Sequence, residues 1–164
     1  NWQNYKSLNQ YSIGIEISNP GHKLKYKKFS KKQINTVLEL SKFLIRKYKI
    51  KSKNIMGHSD IAPDRKKDPG EKFPWKLLSK NGIGYWHNIN KNLLLKKRKL
   101  QTNDEEKKIF IKNLIKIGYF KNNKIKLLKI LTVAFQRRFR PEIINGIIDQ
   151  ECLIISKNLT KKSN

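Results

Sequence analysis

Hydrophobic residues recur along this chain with two different periods. Ile13, Ile15 and Ile17 alternate with Gly14, Glu16 and Ser18, the period-2 pattern of a strand with one buried face. Asn19-Pro20-Gly21 ends that run as a turn. The period changes at Ser30. Ser30-Lys31-Lys32-Gln33 has the capping-box pattern. Ile34, Val37, Leu38, Leu44, Ile45 and Tyr48 then share one helical face, broadened by Leu40 and Phe43. The predicted helix ends near Lys49. Ile55-Met56 reads as a short strand that delivers His58 at its end. Pro74 opens a short helix running to about Lys80, stopped by Asn81-Gly82-Ile83-Gly84.

The second half is helical in pattern. Residues 87–103, dominated by Lys, Asn and Arg around Leu93-Leu94-Leu95, read as a linker with room for a helical turn. Thr102-Asn103-Asp104-Glu105 reads as a second capping box. Ile111, Leu114 and Ile115 give a helix ending at Gly118-Tyr119. Leu127, Leu128, Leu131, Ala134 and Phe135 give another, stopped before Pro141. Asn145-Gly146 turns the chain, and Asp149 caps a third helix carrying Cys152, Ile155 and Leu159. The expected units are residues 1–86, the linker 87–103 and a small three-helix unit over 104–164.

Composition narrows the picture. Lys and Arg number 38 against 12 Asp and Glu, a net charge of +26. That fits a polyanionic partner: nucleic acid, an anionic membrane or an anionic cell wall. It equally fits a composition rich in Lys, Asn and Ile together, because the lysines are spread along the chain rather than gathered in a basic arm. No nucleic-acid motif is recognisable, so no specific nucleic-acid partner is expected. Arg137, Arg138 and Arg140 read either as a surface for anionic wall polymers or as the exposed side of the second helix. The single cysteine, Cys152, excludes an intramolecular disulfide and a four-cysteine zinc site. No apolar run is long enough for a transmembrane helix.

Candidate chemistry gathers in Gly57-His58-Ser59-Asp60-Ile61-Ala62-Pro63-Asp64-Arg65-Lys66-Lys67-Asp68-Pro69-Gly70. Proline and glycine mark it as a shaped loop. His58 and Asp68 are good Zn²⁺ ligands by chemistry, but catalytic zinc usually takes three protein ligands. One His and one Asp in a loop also serve as capping or surface groups. Lys66 sits beside Arg65 and Lys67 and reads on its own as surface charge, and Glu16 as a solvated strand residue. Asp60 and Asp64 read as loop-turn residues, His22 and His87 as surface histidines.

The run 57–70 resembles the signature of type 2 N-acetylmuramoyl-L-alanine amidases, zinc enzymes of peptidoglycan. Ser12 to Ile17 with Asn19-Pro20-Gly21 resembles a second signature of that family, in the same order. Phe73-Pro74-Trp75 and Gly82-Ile83-Gly84-Tyr85-Trp86 fit its continuation. Gly118-Tyr119, Ala134 to Pro141, Gly146 and Asp149 resemble the small helical peptidoglycan-binding domain that follows some of these amidases. The resemblance implies an α/β fold, a central mixed β-sheet flanked by helices, followed by the three-helix domain. It implies Zn²⁺ as cofactor, with His58 and Asp68 as the family's second and third ligands. It makes Glu16 the general base acting on water and Lys66 the stabiliser of the oxyanion. The bond cleaved would join the lactyl group of N-acetylmuramic acid to L-alanine. The partners implied are peptidoglycan or muropeptides, and the location a bacterial cell envelope, periplasmic or outer-membrane anchored.

One feature departs from the family. Its first zinc ligand is a histidine on an earlier strand, whereas eleven residues precede Ser12 and none is His. The expectation is an N-terminally truncated amidase, inactive or nearly so on its own. The alternative is a non-catalytic peptidoglycan-binding protein; the joint retention of Glu16, His58, Lys66 and Asp68 weighs against it.

Overall fold

The computed structural model describes Trp2, residues 7–119 and residues 125–162. Helix α1 (Lys31–Tyr48) begins where the capping box places it: Ser30 Oγ accepts from the Gln33 N–H at 3.2 Å, and Gln33 Oε1 accepts from the Ser30 N–H at 2.9 Å. It ends at Lys49 in the left-handed conformation. Short helices α2 (His58–Ile61), α3 (Trp75–Lys80) and α4 (Lys91–Lys97) follow, then α5 (Asp104–Ile117), α6 (Ile125–Phe139) and α7 (Gln150–Lys162). Helix α5 packs on α7, α2 on α6, and α4 on α7.

The expected central mixed β-sheet is not formed: among the described residues there is no strand. Among the described residues, 13–18 pair with no other segment. Ile13 and Ile15 are 51% and 39% exposed, and Ile17 alone of the three packs against a core cluster. A strand exists through hydrogen bonds exchanged with another strand, and alternation specifies a face without supplying that partner. Side-chain contacts hold the segment instead, with Gln33 Nε2 donating to the Ser18 carbonyl at 2.7 Å. Ile55-Met56 also forms no strand. Its two side chains enter different core clusters, and the Ile55 carbonyl accepts from the Arg138 guanidinium at 2.8 Å.

Two cores result. The smaller joins Ile34 and Val37 of α1 to Phe73, Trp75, Leu78 and Ile83. Leu40, Phe43 and Tyr48 of α1 remain exposed, so its buried face is narrower than the pattern predicts. The larger core lies among α5, α6 and α7, around Phe110, Leu114, Phe135, Phe139 and Leu153. Phe110 meets Phe135 edge-to-face at 5.2 Å, an arrangement that adds about 1 kcal/mol to area burial. Met56, Ile61 and Tyr85 also pack on this core, and Trp86 reaches both. The loop 57–70 is therefore held between the two.

The start of α5 is displaced by one residue from the expected box. Asn103 caps it and Glu106 closes the box, while the Thr102 hydroxyl donates to the Ile148 carbonyl at 2.7 Å. Asp149 caps α7 as expected, accepting from the Cys152 N–H at 2.9 Å.

Candidate active site

The run 57–70 opens with a single helical turn, α2, and then closes on itself. The Ser59 N–H donates to the Asp68 carbonyl at 2.8 Å, which brings the two ends of the run together. His58 Nδ1 consequently lies 3.0 Å from Asp68 Oδ2, although ten residues separate them. Both side chains are open to solvent, at 40% and 60% exposure. The Asp68–Pro69 peptide is cis. Gly57 is required by close approach: a Cβ there would lie 2.7 Å from Pro69 and 3.2 Å from Trp75. Gly70 has φ +83°, and a Cβ would meet the Tyr26 hydroxyl at 2.5 Å, so both sterics and conformation favour glycine.

Tyr26 ties down the far end of the loop. Its hydroxyl donates to the Pro69 carbonyl at 2.7 Å and accepts from the Lys72 N–H at 3.0 Å. Burial pushes the phenol up to about 12. His22 stacks on Tyr26 at 4.4 Å and pairs with Glu71 at 2.9 Å. Burial acts to raise the Glu71 carboxyl, but the His22 hydrogen bond and the Arg137 charge hold it below its ordinary value. His22 is thus a surface residue that braces the loop. His87, expected at the surface, is buried at 9% exposure.

The structure brings His58 and Asp68 together; among the described residues neither Glu16 nor Lys66 makes a hydrogen bond or ion pair with them. Glu16 is exposed, and among the described residues it makes no hydrogen bond or ion pair. Lys66 is half-buried, with its backbone N–H on the Ala62 carbonyl at 2.9 Å, and among the described residues its ammonium has no carboxylate partner.

Four residues are placed differently from what their local sequence context suggested. Asp60 is a buried anchor, not a plain turn residue. It accepts from the Gly57 N–H at 2.8 Å, from the Tyr119 hydroxyl at 2.7 Å and from Arg138. Arg138 and Arg140, expected at the surface, are 2% and 1% exposed, and Arg137 is 8% exposed. Burial and the Asp60 charge together push the Tyr119 phenol well above its ordinary range. One signal was present: Leu131, Ala134, Phe135 and Arg138 follow the i, i+3, i+4, i+7 spacing, which puts Arg138 on the apolar face.

The family model described as N-acetylmuramoyl-L-alanine amidase matches residues 1–71. The chain is similar to these amidases. N-acetylmuramoyl-L-alanine amidase AmiD of Escherichia coli is 36% identical over 98% of the chain. The 1,6-anhydro-N-acetylmuramyl-L-alanine amidase AmpD of the same species is 40% identical over 45% of it. The chain spans 61% of the length of AmiD and 38% of AmpD. The solved structure of AmiD with the substrate anhydro-N-acetylmuramic acid-L-Ala-D-gamma-Glu-L-Lys superposes with a TM-score of 0.85 at 34% identity, covering 98% of this chain and 65% of that one. AmpDh3 of Pseudomonas aeruginosa superposes at 0.83 and 32% identity, over 98% of this chain and 66% of that one. The amidase-like placement of elements is kept although no described residue is in a strand.

The donor set can be tested against the zinc that the amidase resemblance implies. Two ligands about 2.0–2.1 Å from a tetrahedral zinc lie roughly 3.3 Å apart, close to the 3.0 Å between His58 Nδ1 and Asp68 Oδ2. The pair fits as two ligands. Among the described residues no third His, Cys, Asp or Glu joins them.

Proposed function

We propose that this chain carries part of a zinc-dependent N-acetylmuramoyl-L-alanine amidase acting on peptidoglycan or muropeptides. The observation that carries the reading is the His58–Asp68 pair, closed by a glycine- and proline-shaped loop within a chain similar to such amidases. His58 and Asp68 would hold Zn²⁺, which when bound supplies Lewis-acid polarisation of the scissile carbonyl. Glu16 takes a proton from the attacking water, whose oxygen bonds to the lactyl carbonyl carbon. The Lys66 ammonium stabilises the oxyanion that forms. The carbon–nitrogen bond to L-alanine then breaks, and the leaving amine receives the proton from Glu16. Residues 104–164 serve as a peptidoglycan-binding unit, and the site of action is the bacterial cell envelope. Among the described residues, no helix is long and apolar enough to cross a membrane.

Zinc titration of the 164-residue chain by calorimetry tests the ligand assignment. Binding is expected in the parent chain and is lost in His58→Ala and in Asp68→Asn. Affinity that survives both substitutions would overturn it. With two ligands, the 164-residue chain alone is expected to hydrolyse a muramyl peptide at or near background, and robust turnover would overturn that expectation.

The lack of a third donor beside the pair, among the described residues, favours a second reading: a peptidoglycan-binding protein without catalysis. Sedimentation with purified peptidoglycan in the presence of a chelator, with no zinc bound even without chelator, would support it.

A further inference from the structure

We propose that Tyr119 and Arg138 are positioning residues for the loop that carries His58 and Asp68, acting through the buried carboxylate of Asp60. The proposal rests on reading that loop as the active loop. It makes the helical unit a structural part of the site as well as a candidate wall-binding module.

Helix α2 has four residues, too few to hold its own shape. Its start is fixed from outside. Asp60 Oδ2 accepts from the Gly57 N–H at 2.8 Å, closing the turn over His58. That same oxygen accepts from Arg138 Nη1, and Asp60 Oδ1 accepts from the Tyr119 hydroxyl at 2.7 Å. Arg138 Nη2 reaches past the histidine to the Ile55 carbonyl at 2.8 Å. One guanidinium therefore fastens the chain three residues before His58 and two residues after it. Its plane is itself fixed, lying 4.3 Å from the Trp75 ring and 5.1 Å from Phe139. Gly84 turns the chain beside it at φ +70°, a conformation that favours glycine. The planar fork of arginine can serve both acceptors at once, whereas a lysine ammonium on a flexible stem cannot.

The test uses the 164-residue chain and three forms: parent, Arg138→Lys and Tyr119→Phe. Amide hydrogen exchange is followed at Gly57, Ser59 and Asp60, whose N–H groups are all hydrogen-bonded within the loop, and in α5 and α7 as the internal reference. Arg138→Lys should speed exchange at the three loop amides by about tenfold, and Tyr119→Phe severalfold, with α5 and α7 unchanged. Zinc affinity should fall about tenfold in Arg138→Lys, as when a group supporting a metal ligand is altered. Loop exchange that stays flat, or rises equally in α5 and α7, would overturn the proposal. Should Arg138→Lys fail to fold, Tyr119→Phe decides by the same criterion, since it removes a hydroxyl and leaves the ring. Failure of the amidase reading is distinguishable: the parent chain would bind no zinc, while the loop amides still respond.

Discussion

Arg140 offers a sharp test of the packing. Its side chain is fully buried and donates to Asp149, to Glu151 at 3.4 Å and to Asn145 at 3.4 Å. With Arg98, which grips Glu151 at 2.7 and 2.8 Å, it forms a cluster of two positive and two negative groups. Arg140→Met removes one positive charge and leaves the buried carboxylates in excess. Removing one partner of a buried pair costs about 3–5 kcal/mol. The low end, about 3 kcal/mol, is expected here, because Glu151 keeps Arg98 and Asp149 keeps the Cys152 N–H at 2.9 Å. For a chain of this length that lowers Tm by roughly 6–12 °C. Urea unfolding followed by helical circular dichroism gives the difference directly. Adding Asp149→Asn to Arg140→Met should return about 1–2 kcal/mol, since the charge is neutralised while an oxygen still caps α7. A loss below about 0.5 kcal/mol for Arg140→Met is what a surface arginine would give, and it would refute the buried cluster.

Two more outcomes follow from perturbed groups. The Glu71 carboxyl is held below its ordinary 4.5, so near that pH the unfolded chain binds more protons than the folded one. The stability from the His22–Glu71 contact is then present above about pH 4.5 and lost as pH falls through the lower folded value. The gap in urea midpoint between parent and Glu71→Gln should shrink as pH is lowered from about 6 to about 3, and a constant gap would exclude this contact. Burial pushes the Cys152 thiol up to about 12, which leaves it protonated in the folded chain. A thiol-disulfide reagent at about pH 8 should label it at the rate of unfolding, and immediate labelling of the folded chain would contradict its burial.

What could be read from the sequence was what is encoded locally. The capping box at Ser30 needs two residues three apart, and both are in place. At α5 two overlapping boxes satisfy the same pattern, Thr102 with Glu105 and Asn103 with Glu106. The choice between them is non-local: the Ile148 carbonyl claims the Thr102 hydroxyl, so Asn103 caps. The sheet fails for the same reason. Ile13 to Ile17 declare a face, but a ladder is a property of two segments, and alternation is silent about the second. In the loop, Pro63, Pro69 and the glycines marked a shaped run, but the closure that joins His58 to Asp68 depends on the Ser59 N–H meeting the Asp68 carbonyl, which composition does not specify.

The clamp on Asp60 was harder to read because Arg138 lies 78 residues away. An arginine on an apolar helical face still implies a buried acceptor, and the acid inventory narrows which one. Only 12 acidic residues stand against 38 basic ones, and among the described residues three are buried: Asp60, Asp149 and Glu151. Each is met by arginine, from Arg138, Arg140 or Arg98. No described lysine is buried. The division follows from hydration and geometry: a guanidinium sheds water more readily and serves two acceptors in one plane, whereas an ammonium keeps its water. The overall +26 therefore describes a lysine-rich surface. The charges that shape the loop belong to a small, balanced set of arginines and carboxylates that net charge does not register.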